Sequence, residues 1–439
     1  MHKFGTDGIR SKAEDFTPDF LARIIKGLVD YAGDNIKIFL AGDTRESTEW
    51  ILQDLAAACE TFGIEYASAG IFPTPGINYC FYEMNFDFAI DVTASHNPFT
   101  DNGIKIFERG KTQGTKLDEV GRAKIEAALA SSDFFYTPIS PTIREDLHTE
   151  ATDLYLEHLT DYLSDADFSD LHIGMDCANG ATSVINKTVF ENLGASVELI
   201  NCQPDYNTEI NQDCGSTHLD QLKQLVTKNH LDFGVAFDGD GDRCLAIDAE
   251  GNEVDGDQML AFLSQFLQLD SIVTTVMANQ GLLNWAKDNN IHAEITAVGD
   301  PNVVAAMLEK DIKIGSEQNG HVILPGLTSG DGMLTALMIA KAVTKSSKSL
   351  NNLAGIITKF PQVIVNMPAT PEQKDSLKTS PAAKQLLLDY DQKLKSVAGR
   401  LLVRPSGTEN LIRITMWGND APTIDQLANE LKTKLGETL

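Results

Sequence analysis

Short apolar runs rich in β-branched residues alternate with stretches of helical period along most of this chain. Residues 36–40, 87–92, 171–175, 231–237, 272–277 and 312–314 each predict a strand, because a brief apolar run closed by Gly, Asp or Asn matches a strand buried on both faces. Helices fill the gaps. Pro18 after Thr17 suits a first helical position, and Phe20, Leu21, Ile24 and Leu28 then fall on one face. Near the end, residues 400–403 and 411–416 read as strands, and Ile424, Leu427, Leu431 and Leu435 share a face of a closing helix. The alternation predicts the α/β class. Several of these strands stop at a polar, glycine-bearing loop, and ligands of α/β sheets bind at the carboxyl ends of strands.

At 439 residues the chain is too long for one core, which predicts three or four domains. Prolines and mixed polarity at 131–147, 249–257 and 359–362 place the crossings, giving units 1–149, 150–249, 250–358 and 359–439. The first three look like related α/β units and the last is smaller. With 63 acidic and 35 basic residues the formal charge is −28, a surface that repels nucleic acid and anionic lipid. No apolar stretch reads as a signal peptide or a membrane span, so a cytoplasmic location is expected. Six scattered cysteines without a C-x-x-C pair read as small buried residues, not a disulfide or zinc framework.

Four loops carry candidate chemistry. In D-G-D-G-D-R, Asp238, Asp240 and Asp242 alternate with glycines, so three carboxylates can converge on one hard cation. A calcium loop of the helix-loop-helix kind is excluded, since Arg243 and Ala249 stand where Gly and Glu are required. In T-A-S-H-N-P, Ser95 lacks the glycines of a hydrolase elbow and is better suited to carry phosphate. Lys105 lies ten residues on, between isoleucines. Its chemistry suits phosphoryl oxygens or proton transfer, whereas its position alone reads as an edge residue with its head in water. The loop R-P-S-G-T-E-N, with Arg413 nearby, offers hydroxyls, free backbone N–H groups and guanidinium donors, either as a phosphate grip or as a polar hairpin. Glu317, Asn319 and His321, set among glycines, can pair with sugar hydroxyls or form a plain surface loop. The G-K-T at 110–112 is no P-loop, because Lys105 replaces its first glycine, and Gly239-x-Gly241 lacks the third glycine of a dinucleotide fingerprint.

Taken in order, F-G-T-D-G-I-R (4–10), G-D-T-R (42–45), the serine loop, D-C-A-N-G-A (176–181), the aspartate loop, V-D-G-D-Q (254–258), the sugar loop and R-P-S-G-T-E resemble the α-D-phosphohexomutase superfamily over nearly the whole chain. The resemblance implies four domains around one central cleft, three mixed α/β and a smaller α+β C-terminal one. It implies a phosphorylated Ser95 whose phosphate shares one Mg²⁺ per chain with Asp238, Asp240 and Asp242. Lys105, His96 and Arg10 match positions for proton transfer and charge neutralisation. Glu317, Asn319 and His321 match the sugar clamp, and Arg404, Ser406, Gly407, Thr408 and Arg413 the grip on the non-reacting phosphate. Within the superfamily the glucosamine branch is implied: glucosamine 6-phosphate and glucosamine 1-phosphate interconvert through a hexosamine 1,6-bisphosphate, on the route to UDP-N-acetylglucosamine. Expected partners are small sugar phosphates, and the assembly stays open between a monomer and a homodimer. Neutral hexose phosphates as substrates, and a catalytically silent sugar-phosphate binder, are the alternatives. The sequence departs from that branch at Pro301 and Asn302, where Arg-Tyr is usual, at Asn319 for serine and at Asn410 for proline.

Overall fold

The computed structural model describes residues 4–5, 8–132, 134–140, 146–163, 165–406 and 410–439. Within them the chain forms four sheets in succession. The first orders its strands Ile9–Lys12, Asp101–Arg109, Phe88–Val92, Lys37–Gly42 and Glu65–Ile71, with Gly114–Lys116 also paired to Asp101–Arg109. The second runs Glu253–Val254, Cys244–Asp248, Phe233–Phe237, His172–Asp176, Ser196–Ile200. The third holds His292–Thr296, Ser271–Thr275, Gly315–Ser316 and Val322–Ile323, and the fourth Gln362–Pro368, Leu411–Trp417 and Arg400–Pro405.

Central strands such as Phe88–Val92 and Phe233–Phe237 are buried at every position, as expected where helices cover both faces of a sheet. The helix Pro18–Ala32 starts where Thr17 accepts the Phe20 N–H and buries Leu21, Ile24, Ile25 and Leu28. The strand expected at 312–314 is absent. The pairing falls instead on Gly315–Ser316, joined to Ser271–Thr275 through one register pair, Val273 with Gly315. Ile312 and Ile314 are buried all the same, and the Ile314 carbonyl accepts the Val273 N–H at 3.0 Å, so the run leads into the short ladder at its C-terminal end.

One apolar cluster runs from Phe39 and Phe81 through Phe168, Phe190 and Phe233 to Leu337 and Ile357, so the first three sheets share a continuous core. The fourth closes its own core, built from Met367, Tyr390, Ile412, Ile414, Leu431 and Leu435. The C-terminal strands thus form a separately cored body, whereas the others are packed into one. Among the described residues no helix is long and apolar enough to cross a membrane.

Candidate active site

Ser95 sits just past the strand Phe88–Val92, and the aspartate loop just past Phe233–Phe237. The loops are pressed together: a Cβ at Gly239 would come within 2.6 Å of the Ser95 carbonyl oxygen. Ser95 itself holds a left-handed backbone, φ 55°, with its N–H donating to Thr93 Oγ1 at 2.8 Å. Arg45, fully buried and ion-paired to Asp43, donates to the carbonyls of Ser95 at 2.9 Å and Asn97 at 2.6 Å. Asn211 donates to the Ser95 carbonyl from the second unit, also at 2.9 Å. The Ser95 hydroxyl, so held, donates to Asp238 Oδ2 at 2.7 Å.

Asp238, Asp240 and Asp242 are all buried and bring their ligand oxygens within 4.8 Å of one another. Lys105 reaches into this group, with Nζ 2.5 Å from Asp240 Oδ2 and 3.0 Å from Asp242 Oδ2. It is not an edge residue: its strand lies between two others, and only 3 % of Lys105 is exposed. Arg243, whose pKa is raised by the three aspartates against the cost of burial, stands 3.7 Å from Asp238 and 3.8 Å from Asp242. Burial, then Asp240 and Asp242, push the Asp238 carboxyl well above the usual range. Oδ1 of Asp240 and of Asp242 is buried without a hydrogen-bond partner among the described residues. Hard oxygen donors, mutual repulsion and two orphaned lone-pair sites fit a divalent cation.

His96 Nδ1 lies 3.3 Å from Ser95 Oγ and 2.8 Å from Arg243 Nη1. Burial, then the charges of Arg243 and Arg10, push its pKa down to about 4, so the ring is neutral and Nδ1 accepts from the guanidinium. Arg10 pairs with Gly103 on the neighbouring strand. In the third unit, Glu317 Oε1 accepts the Gly299 N–H at 2.9 Å, and Asn319 Oδ1 accepts the His321 N–H at 3.1 Å. His321 is buried: Nε2 accepts the Gly330 N–H at 3.0 Å, which leaves Nδ1 as the protonated atom facing Asp242 Oδ1 at 3.7 Å. The loop of Glu317, Asn319 and His321 is therefore tied directly to the aspartate loop. Arg404 and Arg413 are directly opposite on adjacent strands, and Arg404 Nε is buried with no partner among the described residues. Burial, then the charge of Arg413, lowers the Arg404 pKa, while Glu317 acts the other way across the cleft. Like charges set opposite are unfavourable until an anion joins them. Ser406 is buried beside them, with its carbonyl accepting from Lys374 Nζ at 3.0 Å. Gly407 and Thr408 lie outside the described residues.

Four family models match in order: phosphoglucomutase/phosphomannomutase alpha/beta/alpha domain I over residues 1–135, domain II over 153–251, domain III over 255–360, and the C-terminal domain over 365–434. The chain belongs to this family. As a phosphohexomutase it is an enzyme of the isomerase class. A phosphoglucosamine mutase of Caldicellulosiruptor bescii is 40% identical, covering 99% of this chain and 99% of its own. One of Clostridioides difficile is 36% identical with the same coverage, 99% of each. A solved phosphoglucomutase/phosphomannomutase family protein of Burkholderia thailandensis superposes with a TM-score of 0.75 at 19% identity, covering 99% of this chain and 97% of that one, and shares the fold.

Sequence reasoning passed over several residues of this phosphohexomutase site. Arg243 served only to exclude a calcium loop, yet it contacts His96 and faces two of the three carboxylates. Arg45, present in the G-D-T-R motif but given no role there, and Asn211, which carries no local signal, fix the serine loop. The unusual Pro301 sits in the first turn of the helix Asp300–Lys310, where proline suits the backbone, and Lys116 pairs with Asp300 at 2.6 Å. A cavity there is lined by Lys105, Lys116 and Arg122 together with Asp118, Glu119 and Pro301, so side chains of both charges face it.

Proposed function

We propose that this phosphohexomutase interconverts glucosamine 6-phosphate and glucosamine 1-phosphate, with phosphate carried on Ser95 and a hexosamine 1,6-bisphosphate as intermediate and activator. The observation that carries the reading is the Ser95 hydroxyl held 2.7 Å from a buried carboxylate of the aspartate loop, whose three carboxylates converge within 4.8 Å with two oxygens lacking a hydrogen-bond partner among the described residues. The glucosamine preference is supported by the full-length relatives named phosphoglucosamine mutase.

One Mg²⁺ per chain fits Asp238, Asp240 and Asp242 with a phosphate oxygen on Ser95, and when bound supplies Lewis-acid polarisation of phosphorus. The phosphoserine P–O bond breaks as the 1-hydroxyl of the sugar forms its own. After the bisphosphate turns over in the cleft, Ser95 Oγ attacks the 6-phosphate and the serine ester is restored. Lys105 and Arg10 neutralise charge on the moving phosphoryl group, and Lys105 exchanges the alcohol proton. His96, being neutral, uses its Nδ1 lone pair to hold the Arg243 guanidinium beside Ser95 Oγ. Glu317, Asn319 and His321 hold the sugar in either orientation, while Arg404, Ser406, Gly407, Thr408 and Arg413 grip the phosphate that stays. Catalysis is then mainly positioning and charge stabilisation. Sugar phosphates are the proposed partners, in the cytoplasm, with the chain as monomer or homodimer.

Mass spectrometry of the intact protein tests the carrier directly: phosphate is expected on Ser95, and Ser95→Ala is expected to lower kcat about a thousandfold or more. A coupled Mg²⁺-dependent assay across glucosamine, glucose and mannose phosphates, with and without bisphosphate, tests the sugar. Faster turnover of a neutral hexose phosphate would overturn the glucosamine assignment, and binding without isomer exchange would overturn the enzyme.

A further inference from the structure

Cys177 follows the strand His172–Asp176, and Cys202 lies two residues past Ser196–Ile200, its parallel neighbour in register Asp176 with Ile200. The pairing continues beyond the strand ends: the Cys177 N–H donates to the Ile200 carbonyl at 3.3 Å, and the Asn179 N–H to the Asn201 carbonyl at 2.6 Å. Both side chains are free thiols, and they share a hydrogen bond. Continuing the register sets Asn201 opposite Cys177 and Cys202 one residue further on; with strands about 4.8 Å apart and a rise of about 3.3 Å per residue, such a diagonal pair falls inside the Cα separation of about 4.4–6.8 Å that a disulfide spans. The two thiols differ. Cys177 is fully buried, whereas Cys202 is partly exposed, with Sγ 4.0 Å from the Ser183 carbonyl. Donation from Cys177 lowers the pKa of Cys202 and raises its own, so Cys202 is the more readily deprotonated of the two.

What rests on Cys177 gives the pair a consequence. Its carbonyl accepts the Gly180 N–H at 2.8 Å and Thr182 Oγ1 at 3.4 Å. The Ala181 N–H donates to the Gly239 carbonyl at 2.8 Å, and a Cβ at Gly180 would lie 2.4 Å from that same oxygen. On the other side, a Cβ at Gly241 would lie 2.5 Å from Thr182 Cγ2. Residues 177–182 are thus the floor under both glycines of the aspartate loop. Within them Ala178 and Asn179 hold φ of 55° and 49°, leaving little slack.

We infer that Cys177 and Cys202 form a reversible disulfide under hydroperoxides, and that closing it slows turnover by shifting the floor of the aspartate loop. The Cys202 thiolate attacks the terminal oxygen of the hydroperoxide, so that an S–O bond forms and the O–O bond breaks. The alkoxide leaves, takes up a proton and departs as the alcohol. The Cys177 sulfur then attacks Sγ of the sulfenic acid: the S–S bond forms, the S–O bond breaks, and hydroxide leaves as water with the Cys177 proton. Two thiols and one hydroperoxide become a disulfide, an alcohol and water; a dithiol reverses it. An S–S bond of about 2.05 Å is much shorter than any contact between hydrogen-bonded thiols, so closure must pull on one loop or the other.

The test is hydrogen peroxide added to the reduced holoenzyme, followed by non-reducing peptide mass spectrometry and the mutase assay. A peptide linking Cys177 to Cys202, kcat lowered about tenfold or more, and recovery with dithiothreitol are expected. Cys202→Ser should keep the reduced activity and lose the sensitivity. Failure to form the link, a link to another cysteine, a link that leaves turnover unchanged, or equal sensitivity in Cys202→Ser would each overturn it. Calorimetric titration of Mg²⁺ into reduced and oxidised protein reads the same displacement without turnover and should show weaker binding in the oxidised form. A failure of the glucosamine assignment is therefore distinguishable from a failure here.

Discussion

Lys105→Ala is the most incisive perturbation of the aspartate cluster. Its ammonium lies 2.5 Å and 3.0 Å from two buried carboxylates, with 3 % of the residue exposed. At an effective dielectric of about 20, each contact has a gross attraction of about 6 kcal/mol, most of which is offset by desolvation. Truncating one side of a buried ion pair costs about 3–5 kcal/mol net, because the other charges stay buried without an offset. A divalent cation supplies that offset by another route. The deficit measured in chelator should therefore shrink by at least half in saturating Mg²⁺, the ion binding the variant more tightly than it binds the parent. A ligand at about 100 times its Kd contributes about 2.7 kcal/mol, enough to see. Four units need not unfold together, so the suitable assay is native-state hydrogen exchange of amides in Phe233–Phe237 and Cys244–Asp248, which flank the loop. A deficit below about 1 kcal/mol in chelator, well under the cost of an uncompensated buried charge, or one indifferent to Mg²⁺, would refute the reasoning.

The C-terminal grip makes a separable prediction: Arg404→Ala should raise KM for the sugar phosphate about tenfold or more, the worth of a charged hydrogen bond, while Ser95 remains phosphorylated by mass spectrometry. An unchanged KM would remove Arg404 from the phosphate site. Asp331 predicts a pH dependence of stability. Burial raises its carboxyl pKa to about 6, against the hydrogen bonds it accepts from Leu334 and Tyr155, so the folded state holds a proton that the unfolded state releases. Stability should fall as pH rises from about 4 through 6, and Asp331→Asn should flatten that limb in urea titrations at stepped pH; a variant with the parent's slope would contradict it.

Much of the site was legible because its chemistry is local. Three carboxylates spaced by glycines announce a cation whatever the fold, and a serine in the turn after an apolar strand offers its hydroxyl to the loop packed beside it. Lys105 was legible as a cation but not as a buried one, since its burial depends on a strand lying on each side of it. Arg45 and Asn211 act through carbonyls about 50 and 116 positions away in the chain; no spacing rule reaches that far. Residues 312–314 misled because a short apolar run looks the same whether it pairs in a ladder or is the buried approach to one. Pro301 looked like a lost cation in sequence, whereas the structure shows a helix start with Lys116 brought in from another strand.

The left-handed backbone at Ser95 narrows what chemistry evolution or an engineer can try there. Its φ of 55° points the alcohol at Asp238 and is held by donors from two units. Threonine carries the same hydroxyl but branches at Cβ, and branched residues are outliers at such angles. An interchange that is commonplace among phosphate carriers elsewhere is barred here by geometry, and the choice of alcohol at this position is one residue wide.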